Sequence, residues 1–271
     1  MKKIKLTIAY DGTNYVGWQI QKNGLAVEQV LNEHLSRLLK EKIVVCGASR
    51  TDSGVHARGN VAAFYTETRI PPSKISLALN QSLPDDIKIV RSEEVPEAFH
   101  PRYANCLKTY RYQILNCRYN DPTLRLYYDY VYYPLDVEKM KQGAAFLTGE
   151  HDFIAFSSSG GQQKTTVRRI DCIEITNEPL AVTGLGAAGF LPSMSAETKT
   201  PDYTPQTICI IVTGNGFLYN MVRIIVGTLE KVGMGIYPPE HVKEILDSRD
   251  RRLSAPKAAA RGLTLMEIQY L

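Results

Sequence analysis

Cys46-Gly47-Ala48-Ser49-Arg50-Thr51-Asp52-Ser53-Gly54-Val55-His56-Ala57-Arg58-Gly59 concentrates two arginines, one carboxylate, one histidine and three glycines in a single stretch. Apolar, strand-like runs flank it at residues 42–45 and 61–64. A hairpin loop that only reverses the chain needs about 2–5 residues. A longer loop rich in reactive side chains and held by strands at both ends is where scaffolds place chemistry. Upstream, Ile4, Leu6 and Ile8 alternate as a strand does, and Val27, Val30, Leu31, Leu35, Leu38 and Leu39 follow helical spacing. Downstream, the double proline at 71–72 starts a helix with Ile75, Leu77 and Leu79, and residues 87–90 form a strand. The order around the loop is therefore β-α-β-β-α-β, the split βαβ or ferredoxin-like plan.

Similar ingredients recur in the second half. Residues 107–115, 127–133, 166–176, 207–212 and 262–270 read as strands, and 137–147, 216–232 and 239–246 as helices. The expected fold is α+β, with one half at 1–103 carrying the Asp52 loop and another at 104–271. Residues 177–206 hold four prolines and no sustained periodicity, as expected of a long mobile loop between two strands. Within them Gly184-Leu185-Gly186-Ala187-Ala188-Gly189 matches Gly-x-Gly-x-x-Gly. Pro192 follows and no helix pattern does, so a dinucleotide site is rejected.

The 44% hydrophobic and 22% charged fractions are those of a soluble globular protein. Five scattered cysteines without a Cys-x-x-Cys read as reduced thiols, which suits the cytoplasm. The first residues alternate and lack the apolar block of a signal peptide, and residues 217–229 are too short to span a bilayer. A net charge of +4 is too mild to name a partner, so its distribution matters more. Residues 103–133 hold nine of the sixteen tyrosines, interleaved with Lys108, Arg111, Arg118 and Arg125. Rings that stack bases beside cations that neutralise phosphates suit looped RNA, although tyrosines also pack sheet faces. Arg249, Arg251, Arg252, Lys257 and Arg261 form a second basic cluster, and Lys164, Arg168 and Arg169 a third. Three such patches point to nucleic acid.

One charge stands out in an apolar run, Arg223 amid Leu218, Met221, Val222, Ile224, Ile225 and Val226. It either snorkels to water or meets a carboxylate. Asp52 is the only acid between Glu41 and Glu67. Such a partner would lower its pKa by about 1–3 units and keep it ionised, as a nucleophile or a base. A second acid, a repeated His spacing and a phosphate loop are all missing from the pattern, and His56 reads as a structural hydrogen-bonding residue. Residue chemistry alone leads to an RNA-binding enzyme with a single carboxylate.

The loop from Gly47 to Ala57 resembles the signature of the tRNA pseudouridine synthase A family. Tyr10-Asp11-Gly12-Thr13-Asn14-Tyr15-Val16-Gly17-Trp18-Gln19, Lys108-Thr109-Tyr110-Arg111-Tyr112, His151-Asp152-Phe153, Gly214-Asn215-Gly216-Phe217-Leu218-Tyr219-Asn220-Met221-Val222-Arg223 and Gly262-Leu263-Thr264-Leu265 are similar to further family motifs. The resemblance implies two α+β halves sharing a continuous antiparallel sheet, with helices on one face and a cleft between the halves. It implies Asp52 as catalytic nucleophile, Arg223 paired with it, Tyr110 stacked on a flipped uracil, and Arg50 handling RNA. It also implies a homodimer acting on tRNA without cofactor or metal, isomerising uridine at positions 38, 39 and 40 of the anticodon stem-loop. Two departures are Ser53, where the family usually has Ala, and the length of 177–206. The competing expectations are a non-catalytic RNA-binding protein of paired ferredoxin-like modules and a nucleoside hydrolase or glycosylase.

Overall fold

The computed structural model describes residues 1–160, 165–180 and 205–271. Lys164, the 184–189 glycine pattern and most of the 177–206 segment lie outside the described residues. In chain order the elements are β1 (Lys2–Tyr10), α1 (Val27–Leu39), β2 (Cys46–Gly47), β3 (His56–Thr66), α2 (Pro72–Asn80) and β4 (Ile87–Val95). There follow β5 (Cys106–Asn116), β6 (Asp129–Val131), α3 (Val137–Ala145), β7 (Gly149–Asp152), β8 (Val167–Pro179), β9 (Gln206–Gly214), α4 (Met221–Gly233), α5 (His241–Ser248) and β10 (Leu263–Tyr270).

The strands form one ten-stranded sheet ordered β4-β1-β3-β10-β5-β9-β8-β7, with β2 on β3 and β6 on β5. Two split βαβ units are legible in that order. The first sets β4, β1, β3 and β2 side by side, and the second sets β10, β5, β9 and β8 side by side. Pairing within each four-strand set is antiparallel, whereas the seam between them is parallel and short, Thr264↔His56 and Leu265↔Ala57. Paired residues share a face. A row Tyr10, Ala57, Leu265, Tyr110, Val212 therefore crosses the seam on one face of the sheet, and all five are buried.

The helices form because their apolar stripes have a core to cover. α1 buries Val27, Val30, Leu31, Leu35 and Leu39, and ends where Lys40 turns left-handed at φ 56°. Burial of each such side chain contributes roughly 1.5–3 kcal/mol. α4 is buried nearly all round, from Met221 to Leu229 and again at Val232 and Gly233.

Four expectations change. Residues 42–45 are not a strand, because Val45 N donates to Asn32 Oδ1 (2.8 Å) and Ile43 N to Ser36 Oγ (2.9 Å). Side chains of α1 thus take backbone groups that a ladder would need, and only Cys46–Gly47 pair with β3. β3 begins inside the quoted stretch, at His56, which reduces the true loop to residues 48–55. The strand expected at 127–133 shrinks to β6, since Tyr127 N and Tyr128 N bond back to Leu124 O in a turn. α4 starts five residues late, because Asn220 sits in the left-handed region at φ 59°.

Candidate active site

The 48–55 loop is clamped by the turn that follows β1. Trp18 N donates to Thr51 O (3.1 Å), Gly54 N to Tyr15 O (3.3 Å) and Ser53 Oγ to Tyr15 O (3.3 Å). The approach is so close that a Cβ on Gly17, at φ +106°, would lie 2.5 Å from Thr51 O. From below, Tyr10 Oη meets Thr51 Oγ1 at 2.7 Å, and Asn60 Nδ2 donates to Ser49 O (3.1 Å). His56 closes the base, with Gly12 N donating to Nδ1 (3.0 Å) and Nε2 reaching Leu126 O (3.0 Å) and Arg261 O (3.2 Å). With Nδ1 accepting, the Asp11 carboxylate 3.1 Å away is a neighbour of the ring and not its ion-pair partner. His56 is a hydrogen-bonded brace, as its sequence context suggests.

Asp52 is presented at the outer end of this clamp, and Arg223 comes to it from α4. Arg223 Nη1 donates to Asp52 Oδ2 at 3.4 Å, bridging residues 171 apart in the chain. The arginine does not snorkel; it is 8% exposed and all three of its contacts are inside the protein. Nε donates to Ala258 O (2.8 Å), and Nη1 also to Asn220 Oδ1 (2.9 Å). The net effect on Asp52 differs from the expected one. Burial pushes its carboxyl above the usual carboxylate range, and the charges of Arg223 and then Lys257 pull it only part of the way back.

Tyr110 projects from β5 on the same face, with its hydroxyl 3.0 Å from Ser49 Oγ and its ring edge-on to Phe217 at 5.2 Å. Burial, opposed by the Ser49 hydrogen bond and assisted by the Asp52 charge, pushes the phenol up to about 12, so it stays neutral. Asp52, Arg223 and Tyr110 are thus brought together, while Arg50 sits exposed on the same loop two residues from Asp52. Lys108 and Arg102 reach the loop's entry, donating to Ala48 O (3.0 Å) and Gly47 O (3.3 Å). The second basic cluster is divided: Arg252 pairs with Asp250 and Arg249 with Asp152, while Lys257 acts on Asp52.

Three contributors escaped sequence reasoning: Asn220, Ser49 and Ala258. A polar Asn within an apolar run was the available signal for the first; Ser49 and the Ala258 carbonyl carry none. Among the described residues no group of three or more His, Cys, Asp and Glu could hold a metal ion. The arrangement offers one half-buried, cation-supported carboxylate beside an aromatic wall.

The model of a family described as tRNA pseudouridine synthase matches residues 6–104 and 144–271. The chain belongs to the tRNA pseudouridine synthase family. It is 45% identical over 270 residues to tRNA pseudouridine synthase A of Ruminiclostridium cellulolyticum, covering all of both chains. It is 44% identical over 271 residues to tRNA pseudouridine synthase A 2 of Clostridium perfringens, and 42% identical over 270 residues to tRNA pseudouridine synthase A of Thermoanaerobacter sp., again covering all of both chains. As a member of this family it is an isomerase that converts uridine to pseudouridine in tRNA. Among the described residues no helix is long and apolar enough to cross a membrane.

Proposed function

We propose that this synthase acts on uridines on the 3′ side of the anticodon stem-loop, positions 38, 39 and 40, with Asp52 as the nucleophile. The observation that supports it most is the single 3.4 Å contact between Arg223 and a carboxylate that burial has made less stable as an anion. The target uridine leaves its stack, an act that costs a few kcal/mol, and its base meets the Tyr110 ring, whose stacking returns about 1–3 kcal/mol. The bond between C1′ and N1 breaks, the uracil turns within the pocket, and C5 bonds to C1′. The C5 proton is lost and N1 gains one, so the product is an isomer. The Arg223 charge favours the ionised form of Asp52 against the effect of burial, and Arg50 grips a neighbouring phosphate. No cofactor or metal takes part in this scheme.

The same reading places the protein in the cytoplasm, where its substrate is, as a homodimer. Half-buried Thr207, Cys209, Ile211 and Thr213 on the sheet face turned away from Tyr110 support a protein contact there. The two halves, 1–103 and 104–271, act as units that meet at the β3–β10 seam. The test is tritium release from tRNA labelled at uridine C5. Asp52→Asn is expected to lose at least about 1000-fold in rate while still binding tRNA. Release at the normal rate would remove Asp52 from its role, and free uracil among the products would mark a glycosylase instead.

A further inference from the structure

Two polar side chains deep in the second unit have no part in the scheme above. Tyr112 is fully buried and Asp129 is 9% exposed. Tyr112 Oη donates to Asp129 Oδ2 at 2.6 Å and also reaches Ala259 O at 2.9 Å. Ala259 N donates to the same Asp129 oxygen at 3.1 Å. One residue earlier, Ala258 clasps α4 with both of its backbone polar groups. Its N–H donates to Arg223 O (2.9 Å) and its carbonyl accepts from Arg223 Nε (2.8 Å). A hydrogen-bonded path therefore runs from Asp129 through the 258–259 backbone to Arg223 and on to Asp52.

Residues 254–260 form a strap across α4, and the sequence makes room for it. A Cβ on Gly227 would lie 2.1 Å from Pro256 O, and Ala255 N donates to Thr228 Oγ1 at 3.3 Å. Packing alone does not account for the pegs that hold the strap. A Phe ring fills the same space as Tyr112, and a carboxylate without a cation is an expensive core residue. Among the described residues no ion pair reaches Asp129, and the titratable groups that face it, Glu230 of α4 and the Tyr112 hydroxyl of β5, are both pushed by burial towards their protonated, neutral forms and add no positive charge. A polar arrangement that costs stability but ends at the catalytic ion pair is the signature of positioning.

We propose that Tyr112 and Asp129 are positioning residues of the isomerisation: they peg the 254–260 strap to the sheet, and the strap aims the Arg223 guanidinium at Asp52. The proposal rests on the role given to Asp52 above. Lys257 rides on the same strap, and its charge likewise favours the ionised carboxylate. The groups that face Asp52 are then Arg223 from α4, Lys257 from the strap and the neutral Tyr110 from β5. Loosening the strap weakens both positive charges at once, so Asp52 takes up its proton at a higher pH.

The experiment is the full pH profile of kcat and KM for tritium release by the whole chain, read on the acid side where Asp52 must ionise. Tyr112→Phe is expected to lower kcat about 10-fold with KM for tRNA within about 2-fold. Its acid limb should move up by about 0.5–1 pH unit. Lys257→Gln, an exposed substitution that leaves the core intact, should move the limb in the same direction. Asp129→Asn keeps an oxygen for both donors and should retain activity within about 3-fold, whereas Asp129→Ala should behave as Tyr112→Phe. A general loss of folded protein lowers the rate without moving the limb. The inference is overturned if Tyr112→Phe and Lys257→Gln leave the limb in place, or if Asp129→Ala matches Asp129→Asn. Absence of tritium release from the unsubstituted enzyme would instead overturn the functional reading on which it rests.

Discussion

Replacing Glu230 with Gln should stabilise the protein, and the gain should grow with pH. Glu230 lies on α4 with its Oε1 enclosed and without a hydrogen-bond partner. Burial first, then the nearby Asp129 charge, pushes its carboxyl from 4.5 up to about 8, against a smaller opposing effect of Lys231. The folded chain thus holds a proton that the unfolded chain releases near pH 4.5. The folded state binds more protons throughout that window, so stability falls as pH rises from about 4.5 to about 8 and is level beyond. At about 1.36 kcal/mol per unit, the full loss is about 5 kcal/mol above pH 8 and about 3 kcal/mol at pH 7. Part of the residue reaches solvent, which makes these upper bounds. Gln has the shape of the protonated acid and nothing to titrate. Thermal unfolding of both proteins from pH 5 to 8.5 isolates the effect, because groups common to the two cancel in the difference. The variant should melt within a degree or two of the parent near pH 5 and roughly 5–10 °C higher at pH 8.5. A difference that stays constant over this range would refute the reasoning.

Arg50→Ala should raise KM for tRNA several-fold with kcat little changed, and should reduce the slope of binding affinity against salt by about one unit, as loss of one phosphate contact does. Equal salt slopes for the two proteins would take Arg50 off the RNA. Gly17→Ala places a methyl group on Thr51 O at a backbone angle that side chains avoid, and should cost about 1–3 kcal/mol of stability. Because the displaced atom belongs to the residue before Asp52, tritium release should fall further than the melting temperature alone accounts for; a variant as active as the parent would show that the clamp does not hold the loop.

The parts of this structure that rest on periodicity were open to sequence reading. α1 spans the same residues as its apolar spacing, and the β-α-β-β-α-β order stands with the two-residue β2 in place of the strand expected at 42–45, its long strands and both helices each burying a stripe. The pairing of Arg223 with Asp52 was legible for a different reason: a cation inside an apolar helix has few ways to be satisfied, and one acid was placed to do so. What stayed hidden depends on side chains that bind backbone far away in sequence. Asn32 and Ser36 cancel a strand at 42–45, and the left-handed Asn220 delays α4. The strap at 254–260 has no periodicity at all, and its reach to Tyr112 and Asp129 is a matter of tertiary contact. The direction of the Asp52 shift was misjudged because a sequence shows the partner charge and not the burial that opposes it.

Those two opposing influences on Asp52 are what the nucleophile role proposed for it requires. Full solvation would keep the anion stable and slow to attack, and full burial without a cation would leave it protonated. A tight bidentate arginine would solve the second problem by tying up both oxygens. Here Arg223 divides its donors among Ala258 O, Asn220 Oδ1 and Asp52 Oδ2, and the longest of the three contacts is the one to Asp52, at 3.4 Å. The guanidinium is fixed by its two shorter bonds and offers the carboxylate charge more than it offers a hydrogen bond. Lys257 adds a second positive charge from the strap. Both charges favour the ionised form of Asp52 without enclosing it, and the precision of that placement is carried by Asn220 and the Ala258 carbonyl, neither of which bears a charge.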